Sequence, residues 1–138
     1  MSHVERLSFS IEKPLLERLE RLIAEGQYAN RSEFIRDMVR DRLVEREWER
    51  NEEALGTITL IYDHHTRLLS EKLTSLQHDY AGGILATTHV HLDHHHCAEM
   101  IMVRGAAKEI RRLTDLIRQQ KGVLHATLSM SSTGHRLV

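Results

Sequence analysis

The segment from residue 6 to residue 43 constrains the fold most, because it encodes one strand and two helices with too small a core to be stable alone. Residues 6–11, "RLSFSI", alternate polar and apolar side chains with the period of two that a half-buried strand requires. Two copies can pair these strands into an antiparallel ribbon while four helices bury their apolar faces together. The sequence therefore predicts an N-terminal β-α-α unit that folds as a dimer.

Two helices follow the strand, each with an apolar face at helical spacing. The first has Pro14 in its first turn and Gly26 past its end. The second opens at Asn30, which has the spacing of a capping box with Glu33. The residues predicted to point inward are Leu15, Leu16, Leu19, Leu22 and Ile23 in the first helix, and Phe34, Ile35, Met38, Val39 and Leu43 in the second.

The alternating strand, followed by the pattern Y-x-N-R-S-E-x-I-R-D, resembles the ribbon-helix-helix DNA-binding family. The resemblance implies that the ribbon enters a DNA major groove and that Arg6, Ser8 and Ser10 read base edges. It also implies that the backbone N–H groups of Arg31 and Ser32 hold a phosphate at the start of the second helix. Without the resemblance, the serines could equally form the solvated face of an edge strand, and a net charge of −1 does not itself indicate nucleic-acid binding.

Two acidic residues, Glu33 and Asp37, lie one helical turn apart near the start of the second helix. Their carboxylates could together bind a hard cation where the two domains meet. Acidic side chains in a first turn more often offset the positive end of the helix dipole, and we favour that interpretation.

The hydrophobic pattern changes after a run of mixed charges that extends to residue 56. We place the DNA-binding domain at residues 1–48, a linker at 49–56 and a second domain at 57–138. The periodicity predicts strands at 57–63, 83–92, 97–105 and 123–130, and helices at 65–80 and 106–122. This β-α-β-β-α-β order is that of a ferredoxin-like (ACT-like) sandwich, so the predicted fold class is α+β with an N-terminal ribbon-helix-helix.

The segment "HVHLDHHHC", residues 89–97, concentrates histidines next to the chain's one cysteine. The strand period places His89 and His91 on one face, and a hairpin can bring Cys97 close to both. Two imidazoles and a thiolate are metal ligands, and His78 at the end of the preceding helix is a plausible fourth. The alternative is a polar strand end that is merely buried.

The spacing of His78, His89-x-His91 and Cys97, joined to a ribbon-helix-helix domain, resembles the nickel-responsive transcriptional regulators over nearly the whole chain. The resemblance implies one Ni(II) per chain, held by three ligands of one chain and by the residue matching His78 from a neighbour. It implies a planar site of three nitrogens and one sulfur, which suits Ni(II) or Cu(II) better than Zn(II). Copper should bind at least as tightly as nickel.

The resemblance also implies what such a protein does. We expect a homotetramer, a dimer of dimers, that represses nickel-uptake genes by binding double-stranded DNA with an inverted-repeat operator. Nickel at the tetramer interface would promote operator binding only if it binds the DNA-competent state more tightly than the alternative state.

The second domain also contains Glu99 and seven histidines outside the proposed ligand set. Glu99 shares the strand face of Cys97, and we expect it to hydrogen bond to a ligand. Three histidines of the predicted turn are interpreted as a solvated loop, with weak accessory metal binding as the alternative: His94, His95 and His96. The histidines interpreted as ordinary polar residues are His64, His65, His125 and His135.

Two other functions remain open from the residues alone. The second domain could sense a small organic ligand, although this leaves the His/His/Cys pattern unexplained. The three ligands could also form a catalytic zinc site with an open position. A general base is not apparent and a fourth ligand would close the site, so we expect no enzyme activity.

The number of cysteines and the hydropathy of the sequence indicate where in the cell the protein is expected. A single cysteine cannot form an internal disulfide, which is typical of a reducing cytoplasm. The sequence has no apolar run of the length that a membrane span or a signal peptide needs, so we expect a cytoplasmic protein without a membrane partner.

Overall fold

The computed structural model describes residues 3–80 and 82–138. The chain divides into two compact units. One unit extends to Leu43 and includes Arg136–Val138, and the other comprises Val44–His135. Every helix of the described residues is too short or too polar to cross a membrane.

The N-terminal unit contains helix α1, Lys13–Glu25, and the start of helix α2, Arg31–Glu49. Proline lies in the first turn of α1, and the N–H of Gly26 donates to the carbonyl of Leu22 at its end, as predicted. At the start of α2 the side chain of Asn30 accepts a hydrogen bond of 3.0 Å from the N–H of Glu33. Both helices therefore form where the sequence predicts them.

The predicted strand at residues 6–11 is not formed in a single chain. Residues 3–12 form no strand, because a strand is defined by hydrogen bonds to a neighbouring strand. Within the described residues of one chain, no strand lies beside this segment. Leu7 and Phe9 are 87% and 64% exposed, and Met38 and Val39 of α2, predicted to point inward, are also exposed. The apolar faces predicted to meet a second copy are thus the ones that one chain leaves uncovered.

The second unit has the predicted β-α-β-β-α-β order. Its elements are β1 (Glu53–Asp63), α3 (Leu69–His78), β2 (Gly83–His91), β3 (His96–Ala106), α4 (Ala107–Arg118) and β4 (Val123–Ser131). The sheet order is β2-β3-β1-β4, and all neighbouring strands are antiparallel. Because α2 ends at Glu49 and β1 begins at Glu53, the connection between them is shorter than the predicted linker at 49–56.

The core of this unit lies between the sheet and the helices. Alternate residues of β1 and β3 are buried, as the period of two requires when helices cover one face. Helix α4 buries one apolar stripe against them, and each large side chain removed from water contributes roughly 1.5–3 kcal/mol. The largest fully buried side chains are Ile58, Leu60, Leu69, Leu73, Ile101, Val103, Ile110 and Ile117.

Candidate metal centre

Three of the candidate ligands, His89, His91 and Cys97, lie where β1 and β2 end and β3 begins. In the antiparallel register His91 lies opposite Cys97, and Cys97 lies opposite Tyr62 of β1. Two residues earlier in β2, His89 lies opposite Glu99. Because side chains alternate along a strand, these residues share the helix-covered face of the sheet.

Cys97 is the buried member of the site. Its side chain is 1% exposed, and its Sγ lies 3.3 Å from Nδ1 of His91, whose side chain is exposed. Burial raises the pKa of the thiol, a hydrogen bond from Tyr62 opposes this, and the charges of Asp93 and Glu99 raise the pKa further. Without a metal the thiol therefore keeps its proton at neutral pH.

His89 is held by a tyrosine. Its Nδ1 lies 3.0 Å from the hydroxyl oxygen of Tyr62, and its ring centroid lies 5.1 Å from that of His91. Burial and then the charge of Glu99 raise the pKa of Tyr62 to about 12, so its hydroxyl is neutral and can accept a hydrogen bond from Nδ1. The tautomer with the proton on Nδ1 leaves Nε2 of His89 for a metal.

The structure brings a further histidine, His64, to the site. Ligand atoms of His64, His91 and Cys97 all lie within 4.8 Å of one another. His64 follows the end of β1, and its N–H donates to the carbonyl of His95 in the turn between β2 and β3. Sequence reasoning interpreted His64 as an ordinary polar residue, because its proximity depends on the pairing of β1 with β3. That pairing, which places Tyr62 opposite Cys97, is the signal that would have found it.

His78 and Glu99 occupy different places relative to this group. His78 is the last residue of α3 and is exposed; like His89, it lies outside the three-residue group found among the described residues. Glu99 is half-buried opposite His89, and its charge raises the pKa of both Tyr62 and Cys97.

The turn between β2 and β3 is ordered by Asp93. One carboxylate oxygen of Asp93 accepts hydrogen bonds from the N–H groups of His95 and His96, and the other lies 2.8 Å from the imidazole of His96. The bonds with His96 and His95 lower the pKa of Asp93 to about 2. The ring of His65 also lies 2.9 Å from the carbonyl oxygen of His94. The histidines predicted as a solvated loop are thus at the surface of a hydrogen-bonded turn.

The residues predicted to contact DNA are exposed in one chain. Arg6, Ser8 and Ser10 lie in the unpaired segment 3–12. Arg31 and Ser32 are the first two residues of α2, where backbone N–H groups lack intrahelical partners.

The two acids of the first turns of α2 already have partners. The carboxylate of Glu33 pairs with Arg36, and the carboxylate of Asp37 accepts a hydrogen bond of 2.6 Å from the hydroxyl of Tyr28. This bond raises the pKa of Tyr28. The contacts favour the structural interpretation of these acids over a cation site.

Two family models together match most of the chain. The model of the NikR C terminal nickel binding domain matches residues 55–131. The model of ribbon-helix-helix proteins of the copG family matches residues 5–46, which include residues 5–12 of the unpaired N-terminal segment.

Relatives match over almost their whole length. The chain is 47% identical over 135 residues to a nickel-responsive regulator of Solibacter usitatus, with 97% of each chain covered. It is 47% identical to those of Geobacter sulfurreducens, over 99% of each chain, and of Pyrococcus abyssi, over 96% of this chain and 97% of the relative.

Among solved structures, an uncharacterized protein of Thermotoga maritima matches 57% of this chain with a TM-score of 0.51 at 14% identity, over 98% of its own length. This likeness concerns the fold alone. The two domain matches and the full-length relatives establish the family. The chain belongs to the nickel-responsive transcriptional regulators, a non-enzymatic family that joins a ribbon-helix-helix DNA-binding domain to a nickel-binding domain.

Proposed function

We propose that the protein is a nickel-dependent repressor of nickel-uptake genes, in which Ni(II) bound at a tetramer interface promotes operator binding. The observation that carries the proposal is the convergence of His91 with Cys97 beside His89, in a chain that also has a DNA-binding module. Two imidazoles and a thiolate are donors that bind Ni(II), so the residues present fit this metal.

The proposed ligand set is His89, His91 and Cys97 of one chain and His78 of a second copy, with one Ni(II) per chain. The exposure of His78 at the end of α3 leaves its imidazole accessible to a neighbouring chain, which supports this assignment. When bound, Ni(II) would join two chains through these donors, and pairing through the N-terminal units would join two such pairs into the proposed homotetramer.

Two residues of the sheet would hold the ligands in place. Tyr62 fixes the ring of His89 through Nδ1, and it lies opposite Cys97 in the β1–β3 register. Glu99 lies opposite His89, within the strand that begins next to Cys97. Partners of this kind orient ligands and raise their basicity.

The N-terminal unit would bind DNA as a dimer. The exposed Leu7 and Phe9 support pairing with a second copy, because burying them together removes apolar surface from water. The opposite face of the paired strands would carry Arg6, Ser8 and Ser10 into the major groove. Backbone N–H groups at Arg31 and Ser32 would hold a phosphate of the DNA.

The assembly would follow from these contacts. Two N-terminal dimers on one tetramer predict an operator with two inverted half-sites in double-stranded DNA. Metal-dependent repression then requires only that nickel binds the DNA-competent arrangement more tightly than the other arrangement. Such a protein would act in the cytoplasm, where the operator and the metal pool are both present.

The test is a titration of metal-free protein with Ni(II), followed by absorption spectroscopy, with Cys97→Ala in parallel. We expect a thiolate-to-nickel band that saturates at one metal per chain and is absent from the variant. DNA binding should then be measured with and without nickel. A thiolate-to-nickel band that is still present in Cys97→Ala would contradict the proposal, and so would an affinity for the operator that does not change with nickel.

A further inference from the structure

We propose that the cleft between α4 and β4 binds a small oxyanion, with the guanidinium of Arg111 and the backbone N–H of Leu128 as its donors. The cleft belongs wholly to the second unit, and none of the residues that line it is a proposed metal ligand or DNA contact. The inference therefore goes beyond the proposed function and does not depend on it.

Arg111 is a fixed cation without a strong acceptor. Among the residues that the structure describes, its guanidinium donates to the thioether sulfur of Met130 at 3.5 Å, and such a sulfur accepts only weakly. The guanidinium carbon lies over the ring of Trp48, 5.6 Å from its centroid. The ring itself is held, because Nε1 of Trp48 donates to the carbonyl of Ser131 at 2.8 Å. Most of the five N–H donors of Arg111 are therefore left for a ligand.

The second arginine of the cleft, Arg118, is already bound to the protein. Its Nε and Nη2 donate to the carbonyl of Ala126 at 3.3 and 3.0 Å, and its Nη1 donates to the carboxylate of Asp115 at 3.3 Å. Arg118 thus offsets the charge of the carboxylate that lines the cleft and would otherwise repel an anion. Two arginines and one aspartate line the cleft, so it keeps an excess of one positive charge.

The free edge of β4 supplies the second donor. Because β4 is the last strand of the sheet, every second residue turns its N–H and its carbonyl away from β1. Ala126 is one of these residues, since its carbonyl accepts the hydrogen bonds from Arg118. Leu128 lies two residues further along and turns its backbone groups the same way, at the edge that lines the cleft. An anion between α4 and β4 would therefore meet a backbone N–H as well as a guanidinium.

The size of the cleft and the kinds of donor favour an oxyanion. Its volume is about 300 Å³, whereas a water molecule occupies about 30 Å³ in the liquid. A phosphate ion therefore fits together with part of its hydration shell. A guanidinium donates two parallel hydrogen bonds to the oxygens of such an ion, and the backbone N–H of Leu128 would add a third.

The test uses Trp48, the one tryptophan of the chain, as a reporter of the cleft. Trp48 is buried beneath the guanidinium of Arg111, so an anion bound there changes the surroundings of the indole. Metal-free, full-length protein is titrated with inorganic phosphate while chloride keeps the ionic strength constant. Trp48 fluorescence and isothermal titration calorimetry are measured in parallel. We expect a saturable change in the fluorescence of the wild type, with a matching heat of binding.

Arg111→Gln removes the proposed donor, and Arg112→Gln is the matched control. Arg112 is the next residue of α4; it is exposed, lies outside the cleft and lowers the net charge equally when replaced. We expect Arg111→Gln to weaken phosphate binding by about tenfold or more, because charge-assisted hydrogen bonds are lost. We expect Arg112→Gln to bind as the wild type does. Arg111→Lys, which keeps the charge but not the planar fork, should also bind more weakly than the wild type.

Two results would overturn the site. One is the absence of a saturable fluorescence change in the wild type at constant ionic strength. The other is equal phosphate affinity in Arg111→Gln and Arg112→Gln, which would show a general effect of charge. Circular dichroism shows whether the variants keep their fold, and both replaced side chains are exposed. The nickel band should be the same in all of these variants, so failure of the anion site leaves the nickel assignment intact.

Discussion

The hydroxyl oxygen of Tyr62 lies 3.0 Å from Nδ1 of His89, and the same tyrosine lies opposite Cys97 in the β1–β3 register. A strand that supplies none of the proposed nickel ligands thus orients one ligand and touches another. This relationship makes Tyr62 a positioning residue whose effect on metal binding can be measured.

We expect Tyr62→Phe to weaken Ni(II) binding by about 10- to 100-fold, the usual cost of removing a partner that orients a ligand. The aromatic ring remains, so the core is kept while the ring of His89 loses its hydrogen bond. A chelator competition on wild type and variant measures the change.

Tyr80→Phe is the matched control for this substitution. The hydroxyl of Tyr80 is buried without a hydrogen-bond partner among residues 3–80 and 82–138. Its removal should leave Ni(II) affinity unchanged and should not lower the free energy of unfolding, because no hydrogen bond is lost. Equal Ni(II) affinities for Tyr62→Phe and wild type would show that the bond to His89 does not position the ligand.

The affinity for Ni(II) should rise with pH. Burial raises the pKa of Cys97, so the metal-free thiol is protonated at neutral pH, whereas the metal binds the thiolate. Binding therefore releases a proton, and the apparent affinity should increase about tenfold per pH unit below the pKa of the thiol. Titrations between about pH 7 and pH 8.5 lie above the ordinary histidine range and isolate this effect. A pH-independent affinity would mean that the thiolate is not a ligand.

DNA binding and metal binding should be separable by substitution. Arg6 lies in the exposed N-terminal segment, so Arg6→Ala should weaken operator binding by about 1–3 kcal/mol and leave the nickel titration unchanged. The control is Arg112→Ala, which removes the same charge from the exposed side of α4. Fluorescence anisotropy with labelled operator at fixed salt measures both variants. Equal losses in the two variants would indicate a general charge effect.

The helices of both units and the strands of the second unit could be predicted because the sequence patterns that indicate them are local. A capping residue such as Asn30 and a strict alternation of side chains depend only on neighbours in sequence. The start of β1 was missed because Glu53 and Ala54 lie in a charged run, and their pairing with the end of β3 decides their structure.

The contribution of His64 and Tyr62 to the site could not be predicted in the same way. Both are brought to Cys97 by the sheet order, in which β1 lies beside β3, and by a turn that contacts the β2–β3 hairpin. The N-terminal strand is the opposite case, in which the sequence pattern is clear but a single chain does not form the predicted structure. Its alternation is evident in "RLSFSI", but the hydrogen bonds that define a strand must come from a second chain.

The turn before β4 supports the loop that carries His64, and its glycine should be sensitive to substitution. Gly122 has a φ of +97°, and a β-carbon there would lie 2.5 Å from Oγ1 of Thr66 in that loop. We expect Gly122→Ala to lower the free energy of unfolding through backbone strain of about 1–3 kcal/mol and through displacement of Thr66. Gly134→Ala is the matched control, because Gly134 has a φ of +82° and no atom within 4 Å of the added carbon.

Urea unfolding of both glycine variants at one protein concentration measures the difference, since assembly makes stability depend on concentration. The variant at Gly122 should lose more stability than the variant at Gly134, whose neighbours in the exposed tail can adjust. Equal stabilities would mean that the loop accommodates the added carbon without moving, and the contact with Thr66 would then have no part in holding His64.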